Sequence, residues 1–122
     1  MVNKTSKICA PSDEACKIFL RSVGDALYVV GGKWRLQIII ALYNGNNRFN
    51  QIQRTVEGIS ARVLSNELKE LELIGFISRE VDAGSTPVTV SYQLTPYCNT
   101  LEEVIMALSR WGMKHRKKMT AK

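Results

Sequence analysis

The stretch GISARVLSNELKELELIGF, residues 58–76, decides the fold of this chain. Ser60 is a favourable N-cap residue near its start, and Gly75 follows the last apolar turn, where helices commonly end. Between them, apolar residues recur at helical spacing and form one stripe. The stripe consists of Leu64, Leu68 and Leu71, with Val63 beside it. The pattern therefore predicts an amphipathic helix that begins at Ser60 and turns its leucines toward a core.

The outward face of this helix lacks acidic residues in its first turns. Surface helices usually place carboxylates there, because a negative charge complements the N-terminal end of the helix dipole. Here the outward positions are neutral or cationic: Ser60, Ala61, Arg62, Ser65, Asn66 and Lys69. Arg and Asn bind guanine and adenine through paired hydrogen bonds, and Ser and Lys bind phosphate. The face suits DNA, although a plain solvated surface would also be polar opposite the leucines.

Periodicity and turn signals predict the elements on either side. Helices are expected at about 13–30, 33–45, 46–56 and from Thr95-Pro96 to about Lys118. Gly24 weakens the first of these and could break it in two. Strands are expected at 76–81 and 88–95, and the second alternates apolar and polar residues, which predicts a half-buried strand. Its apolar positions are Val88, Val90, Tyr92 and Leu94.

This order of elements predicts a fold class. Two helices joined by a short Gly-containing turn form a helix-turn-helix, and a hairpin directly after the second helix forms a wing. The predicted class is mainly α with a small β-hairpin (α+β), a winged helix-turn-helix. Residues 1–11 are expected to be a loose N-terminal segment. Residues 12–122 are expected to be one winged domain with N- and C-terminal dimerisation helices.

Length and charge set limits on function. The chain has 122 residues, 45% of them hydrophobic, which suits one domain with a packed core. Its net charge is +6, but residues 114–122 hold five basic side chains and no acid, leaving 12 basic and 11 acidic residues elsewhere. The net charge therefore mostly reports a basic tail. An argument for nucleic-acid binding must rest on where the other charges lie.

Several other classes of protein are disfavoured. The longest apolar run, residues 38–43, is too short to cross a bilayer, and residues 1–14 lack the apolar core of a signal peptide. A cytoplasmic protein without a membrane partner is expected. Three Cys and one His suit neither a disulfide framework nor a zinc site, and no Gly-rich phosphate loop occurs. No His or acid is placed to activate a Cys, so we expect no enzyme, metal or cofactor.

Basic side chains outside the central helix are further candidate DNA contacts. Arg48 and Arg54 lie in the predicted helix before it, and Arg79 lies in the first strand. The wing tip contributes Gly84, Ser85 and Thr86 as lesser candidates, because a wing often contacts only the DNA backbone. Double-stranded DNA is therefore the predicted partner.

The two terminal helices predict a homodimer. The last helix carries the apolar stripe Leu101, Val104, Ile105, Leu108 and Trp111, and the first carries Phe19, Leu20, Val23 and Leu27. One small domain has little room to bury both stripes and also cover the central core helix. A two-fold partner would cover them and place two recognition helices one DNA turn apart, about 34–36 Å. The alternative is that both helices fold onto their own domain.

The sequence resembles the HxlR family of bacterial winged-helix transcriptional regulators, relatives of the MarR group. The resemblance covers roughly residues 24–113. It rests on GGKW at 31–34, RFN at 48–50, GIS at 58–60, LSNELKELE at 64–72 and the late Trp111-Gly112. It implies a homodimeric regulator whose fourth helix reads the major groove, whose hairpin follows the minor groove, and whose terminal helices form the dimer.

The resemblance also implies a candidate for redox sensing. The family often carries a Cys-Pro pair before its first helix; here Cys9-Ala10-Pro11 approximates that pair, and Cys16 is a competing match. The alternative, that all three cysteines are reduced and inert, stays open. The predicted function is a sequence-specific DNA-binding transcriptional regulator with an unidentified small-molecule or oxidant effector. The alternative function is a winged-helix protein-interaction module without specific DNA binding.

Overall fold

The computed structural model describes residues 13–121. The chain divides into two compact units, residues 1–32 and 33–122. The predicted loose segment, residues 1–11, lies outside the described residues. Within the described part, the element order is helix α1, helices α2 to α4, a two-stranded hairpin, a 3₁₀ helix and helix α5.

The first unit contains α1, Asp13–Val30. Asp13 and Glu14 stand in its first turn, where they complement the helix dipole. The expectation that Gly24 could break this helix is wrong, because α1 is continuous across it. The cost of one interior glycine, about 1 kcal/mol relative to Ala, is small against the hydrogen bonds of an 18-residue helix.

The second unit is built around α2, Arg35–Tyr43. This helix is apolar nearly all round and is packed between α3, Phe49–Thr55, and the hairpin. Its buried side chains are Ile38, Ile39, Ala41 and Leu42. The rest of this core comes from Ile52, Val56, Ile59, Leu64, Leu68, Leu71, Phe76, Ile77 and Cys98. The predicted central core helix is therefore confirmed.

The turn between α3 and α4 has the form of a helix-turn-helix. Gly58 takes a φ of 87°, a left-handed conformation that residues with a Cβ rarely adopt. Ile59 then enters the core, which fixes the path of the turn. The backbone N–H of Val63 donates to Ser60 Oγ at 3.1 Å, so Ser60 caps α4, Ala61–Ile74, as predicted.

The wing follows α4 directly. Gly75 ends that helix with a φ of 99°, and the backbone N–H of Phe76 donates to the Leu71 carbonyl at 3.0 Å. Strands β1, Ile77–Asp82, and β2, Thr89–Leu94, pair antiparallel, with Ile77 opposite Leu94 and Asp82 opposite Thr89. The backbone N–H of Tyr92 donates to the Asn47 carbonyl at 2.9 Å, so the wing is tied to the loop before α3.

The predicted alternation in the second strand is confirmed only in part. Val88 lies outside β2 and is 56% exposed, because the strand begins one residue later. Within β2, Thr89 and Ser91 are half-buried as well as the apolar positions. The strand is therefore half-buried, as expected, but polar and apolar positions differ less in burial than strict alternation implies.

The segment after β2 departs from the predicted single helix. A 3₁₀ helix, Pro96–Leu101, precedes α5, Glu102–Thr120. Thr95 does not cap it with its side chain; its hydroxyl donates instead to the Gly75 carbonyl. Cys98 is fully buried in this segment. The tighter 3₁₀ winding carries Cys98 into the core and links α4 to the start of α5.

Candidate nucleic-acid interface

The outward face of α4 has the exposure that the sequence predicts. Ser60, Ala61, Arg62, Asn66 and Lys69 are exposed, and Ser65 is half-buried. No acidic residue stands in the first turn of α4. The face thus presents a guanidinium, an amide, an ammonium group and hydroxyls to solvent, a set of donors that suits base edges and phosphate oxygens.

The opposite side of α4 holds the helix in place. Leu64, Leu68 and Leu71 are buried as predicted. Glu67 also faces inward: its Oε1 accepts from Arg35 Nε at 3.2 Å, and both side chains are largely shielded from solvent. The ion pair joins the start of α2 to the middle of α4.

A cleft of about 290 Å³ opens between α4 and the wing. Its lining residues come from α4 and from both strands: Ser65, Leu68, Lys69, Glu72, Arg79 and Tyr92. Three of these were predicted DNA contacts, and the fold brings them together from two separate segments. Tyr92 was predicted only as an apolar position of a half-buried strand, and sequence reasoning gave no sign that it borders the recognition helix.

The other face of the wing is electrostatically different. A shallow cleft there is lined by Arg48, Glu80, Val81, Asp82, Thr89 and Ser91. Glu80 accepts a hydrogen bond from Gln93 Nε2 at 3.3 Å. The predicted contact Arg48 therefore lies beside two carboxylates, whereas Arg54 stands exposed in the last turn of α3.

The wing tip is folded on itself through side-chain hydrogen bonds. The backbone N–H of Gly84 donates to Asp82 Oδ1 at 3.2 Å. Ser85 Oγ lies 3.0 Å from the Asp82 carbonyl and 2.9 Å from the Pro87 carbonyl, so its hydroxyl proton is directed into the tip. Gly84 and Thr86 are exposed. Of the predicted tip residues, Thr86 is therefore better placed to donate outward than Gly84 or Ser85, whose donors are directed into the tip.

Both terminal helices expose apolar side chains. In α1, the exposed residues include the predicted set Phe19, Leu20, Val23 and Leu27. In α5, Val104, Leu108 and Trp111 are exposed and Ile105 is half-buried; Leu101, at the end of the 3₁₀ helix, is also half-buried. No residue of α5 is buried, and Trp111, stacked on His115 at 5.0 Å, is 63% exposed. The stripe of α5 is thus largely open to solvent.

The cysteines differ from one another in state. Cys98 is free and buried, and burial raises the pKa of its thiol. Cys16 is half-buried and disulfide-bonded. Cys9 lies outside the described residues.

Residues 13–121 lack two kinds of functional feature. They contain no helix with the length and apolar character needed to span a membrane. They also contain no group of three or more His, Cys, Asp or Glu side chains placed to hold a metal ion.

Comparison with known proteins identifies the family. The HxlR-like helix-turn-helix family matches residues 29–120. YybR of Bacillus subtilis (strain 168), an uncharacterized HTH-type transcriptional regulator, is 34% identical over 106 residues, covering 87% of this chain and 80% of YybR. The resemblance seen in the sequence motifs is thereby confirmed.

Solved structures agree with the fold. A protein from Enterococcus faecalis V583 described as a MarR-family transcriptional regulator superposes with a TM-score of 0.71 at 30% identity, covering 93% of this chain and 97% of that one. The redox regulator HypR in its reduced form gives a TM-score of 0.74 at 35% identity, covering 80% and 96%. Its oxidised form gives 0.70 at 35% identity, covering 76% and 95%. The predicted winged helix-turn-helix is confirmed.

Proposed function

We infer the mode of action from the family, because this chain belongs to the HxlR-like helix-turn-helix family and is a DNA-binding transcriptional regulator. We propose that it binds double-stranded DNA sequence-specifically as a homodimer in the cytoplasm and has no enzymatic activity. In this proposal α4 enters the major groove, the wing follows the minor groove, and residues 12–122 act as one domain with α1 and α5 as its dimerisation helices.

One observation carries the proposal: the polar face of α4. Arg62 and Asn66 are four residues apart, both exposed, and project from the same side of a helix whose opposite side is anchored in the core. Arg62 would bind guanine O6 and N7, and Asn66 would bind adenine N6 and N7. An interaction module without DNA would more often expose apolar residues on that face. Arg54 and Thr86 would add backbone contacts.

The dimer is supported by the open apolar stripes of the terminal helices. A soluble protein rarely leaves contiguous apolar surface uncovered unless another surface packs on it. Covering α1 and α5 with a second copy would remove the exposed residues from water. A two-fold pair would also set the two α4 helices about 34–36 Å apart.

Selection of bound fragments from the source genome tests this proposal. We expect the recovered DNA to share an inverted repeat whose half-sites are centred about 10–10.5 bp apart, or a multiple of that distance. Sedimentation at micromolar concentration should give a dimer. Recovery of fragments without any shared motif, or a monomer that binds a single half-site, would contradict the proposed mode.

A second proposal concerns control of DNA binding by cysteine oxidation. The observation that favours it is the disulfide at Cys16, just inside α1. HypR, a similar protein, is a redox regulator with reduced and oxidised structures. Two thiols would lose two protons and two electrons to hydrogen peroxide, which is reduced to water, and form the disulfide. Because α1 is a proposed dimerisation helix, the bond would alter the relative position of the two recognition helices.

The redox proposal is tested by DNA binding in dithiothreitol and after mild hydrogen peroxide. We expect the parent affinity to change between the two states, and the change to disappear in Cys9→Ser and Cys16→Ser. Cys98→Ser is the matched control, because the buried Cys98 thiol should leave the response intact. Equal parent affinity in both states would exclude a thiol switch for this oxidant.

A further inference from the structure

We propose that the cleft between α4 and the wing holds one DNA phosphate, and that Tyr92 is a DNA-contacting residue in it together with Lys69, Arg79 and Ser65. This inference rests on the proposed function and deepens it. It assigns a role to Tyr92, which the sequence predicted only as an apolar position of a half-buried strand. It also assigns which face of the wing turns toward DNA.

The fold brings the four side chains to one place from separate elements. Ser65 and Lys69 are four residues apart on α4 and therefore share one side of that helix. Arg79 and Tyr92 are directly opposite each other across the hairpin, so they share one face of the wing. All four line the same cleft of about 290 Å³. Together they offer an ammonium, a guanidinium and two hydroxyl groups.

These polar groups are not used by the protein itself. In the described part of the chain, no hydrogen bond or ion pair involves the side chains of Ser65, Lys69, Arg79 or Tyr92. Ser65 and Tyr92 are also half-buried residues. Half-buried hydroxyl groups favour a hydrogen-bond partner. A phosphate oxygen accepts hydrogen bonds from each of these side-chain types.

The balance of charge distinguishes the two faces of the wing. The cleft beside α4 carries two cations, Lys69 and Arg79, and one carboxylate, Glu72. The cleft on the opposite face carries one cation, Arg48, and two carboxylates, Glu80 and Asp82. A phosphodiester is therefore attracted to the first cleft and repelled by the second.

The position of the cleft also fits a phosphate rather than a base. A recognition helix in the major groove and a wing in the adjacent minor groove must be separated by one strand of DNA backbone. The cleft lies between those two elements, so the group that passes through it is a sugar-phosphate unit. Its contacts would fix the register of the protein on DNA and would not depend on sequence.

The test compares Lys69→Ala, Arg79→Ala, their double variant and Tyr92→Phe on two duplexes of equal length. One duplex carries the selected motif and the other an unrelated sequence. Tyr97→Phe is the matched control, because it removes an exposed phenol hydroxyl from a ring that stays stacked on Phe76. Arg79→Lys, made in the Lys69→Ala background, tests whether the positive charge alone suffices. Thermal unfolding of each variant verifies that it is folded.

We expect Tyr92→Phe to weaken binding about tenfold on both duplexes alike and Tyr97→Phe to leave it unchanged. Since Lys69 and Arg79 share one phosphate, each single variant should change the salt dependence little. The double variant should lower the slope of log K against log salt by about 0.9 for each bound subunit. Arg79→Lys in the Lys69→Ala background should keep the parent slope, because one cation then remains at the phosphate.

Three results would overturn the inference. The first is parent-like binding by Tyr92→Phe, and the second is a loss of affinity by Tyr92→Phe on the selected duplex alone. The third is a fall of about 1.8 for each subunit in the slope of log K against log salt for the double variant, which would mean that Lys69 and Arg79 bind two separate phosphates. Failure of the parent protein to bind either duplex would instead overturn the proposed function. The two failures are therefore distinguishable.

Discussion

Helices α4 and α5 are both amphipathic, but only the apolar stripe of α4 is buried within the described second unit. Leu64, Leu68 and Leu71 of α4 are buried, whereas α5 buries no residue and leaves Trp111 63% exposed. The outward face of α4 is polar from Ser60 to Lys69, and the surface of α5 includes a broad apolar area. The difference indicates two kinds of partner: a polyanion for α4 and another apolar surface for α5.

The first turns of α4 and α5 also differ in charge, and this difference agrees with the two kinds of partner. Glu102 and Glu103 occupy the first turn of α5, and Lys117 and Lys118 the last, which is the arrangement that stabilises an isolated helix. The first turn of α4 has no acid. A first-turn carboxylate would add about 0.3–1 kcal/mol to helix stability. Its absence from α4 fits a helix end that approaches phosphate.

The largest effect on stability should come from the buried leucine stripe of α4. Leu64→Ala should lower the free energy of unfolding by about 2–5 kcal/mol, because it leaves a cavity at a fully buried position. Urea denaturation measures the loss. Leu73→Ala on the same helix is the control, since Leu73 is 80% exposed, and it should change stability by less than about 0.5 kcal/mol. Similar losses for both variants would contradict the assigned burial.

Substitutions in the exposed apolar stripe of α5 should weaken dimerisation more than they lower the stability of the fold. Trp111→Ala should weaken dimerisation by about 2 kcal/mol or more, because buried Trp residues are common hot spots at interfaces. Sedimentation over a range of concentrations measures the shift. Ser109→Ala, an exposed polar position on α5, should leave the dimer intact. A dimer that tolerates Trp111→Ala fully would show that α5 does not form the interface.

The polar face of α4 should determine sequence preference. Arg62→Ala should weaken binding to the selected DNA by about 1–3 kcal/mol and relax the preference at one base pair, if Arg62 makes a paired contact with guanine. Competition against duplexes altered at single positions measures both effects. Glu70→Gln, an exposed acid on the same helix, should keep the parent's order of preference. Unchanged preference in Arg62→Ala would remove Arg62 from base reading.

The smallest effect concerns alkaline pH at the junction of α2 and the 3₁₀ helix. Burial raises the pKa of the Cys98 thiol above its ordinary 9.0, and burial, then Cys98 and Glu102, raise the pKa of Tyr43 above 10.0. The folded state holds both protons more tightly than the unfolded state. The contribution of these two groups to stability is therefore constant below pH about 9, and it is lost as the pH rises through their raised folded-state pKa values.

Urea denaturation across alkaline pH measures this dependence. The midpoint should stay level below pH about 9 and decline above it. Tyr43→Phe removes one of the two groups, so its decline should be shallower than that of the parent. A midpoint that stays level well above pH about 10 would contradict the folded-state pKa shifts.

Much of the fold could be predicted because its signals are local. The Ser60 cap, the left-handed Gly58 and Gly75, and the leucine stripe of α4 each depend on residues within a few positions of one another. Local patterns also placed the exposed Arg62 and Asn66 correctly. The predicted start of α5 was wrong, because Thr95-Pro96 opens a 3₁₀ helix and α5 begins only at Glu102.

The contacts that sequence reasoning missed join distant segments. Glu67 on α4 pairs with Arg35, which lies 32 residues earlier. Tyr92 joins Lys69 in one cleft only because the hairpin folds back against α4. The sole local hint was that Glu67 lies three residues after the buried Leu64, at the edge of the inward stripe. No pattern within β2 indicated what its half-buried face would meet.

The sequence by itself therefore determined the order of helices and strands, the inward and outward faces of α4, and the family. These follow from periodicity, capping and turn residues, which act over a few residues of chain. Tertiary structure decided which side chains share a site, which face of the wing is cationic, and that Cys98 is buried. Such properties depend on how separate elements pack, and side-chain spacing along one element carries no information about the element it meets.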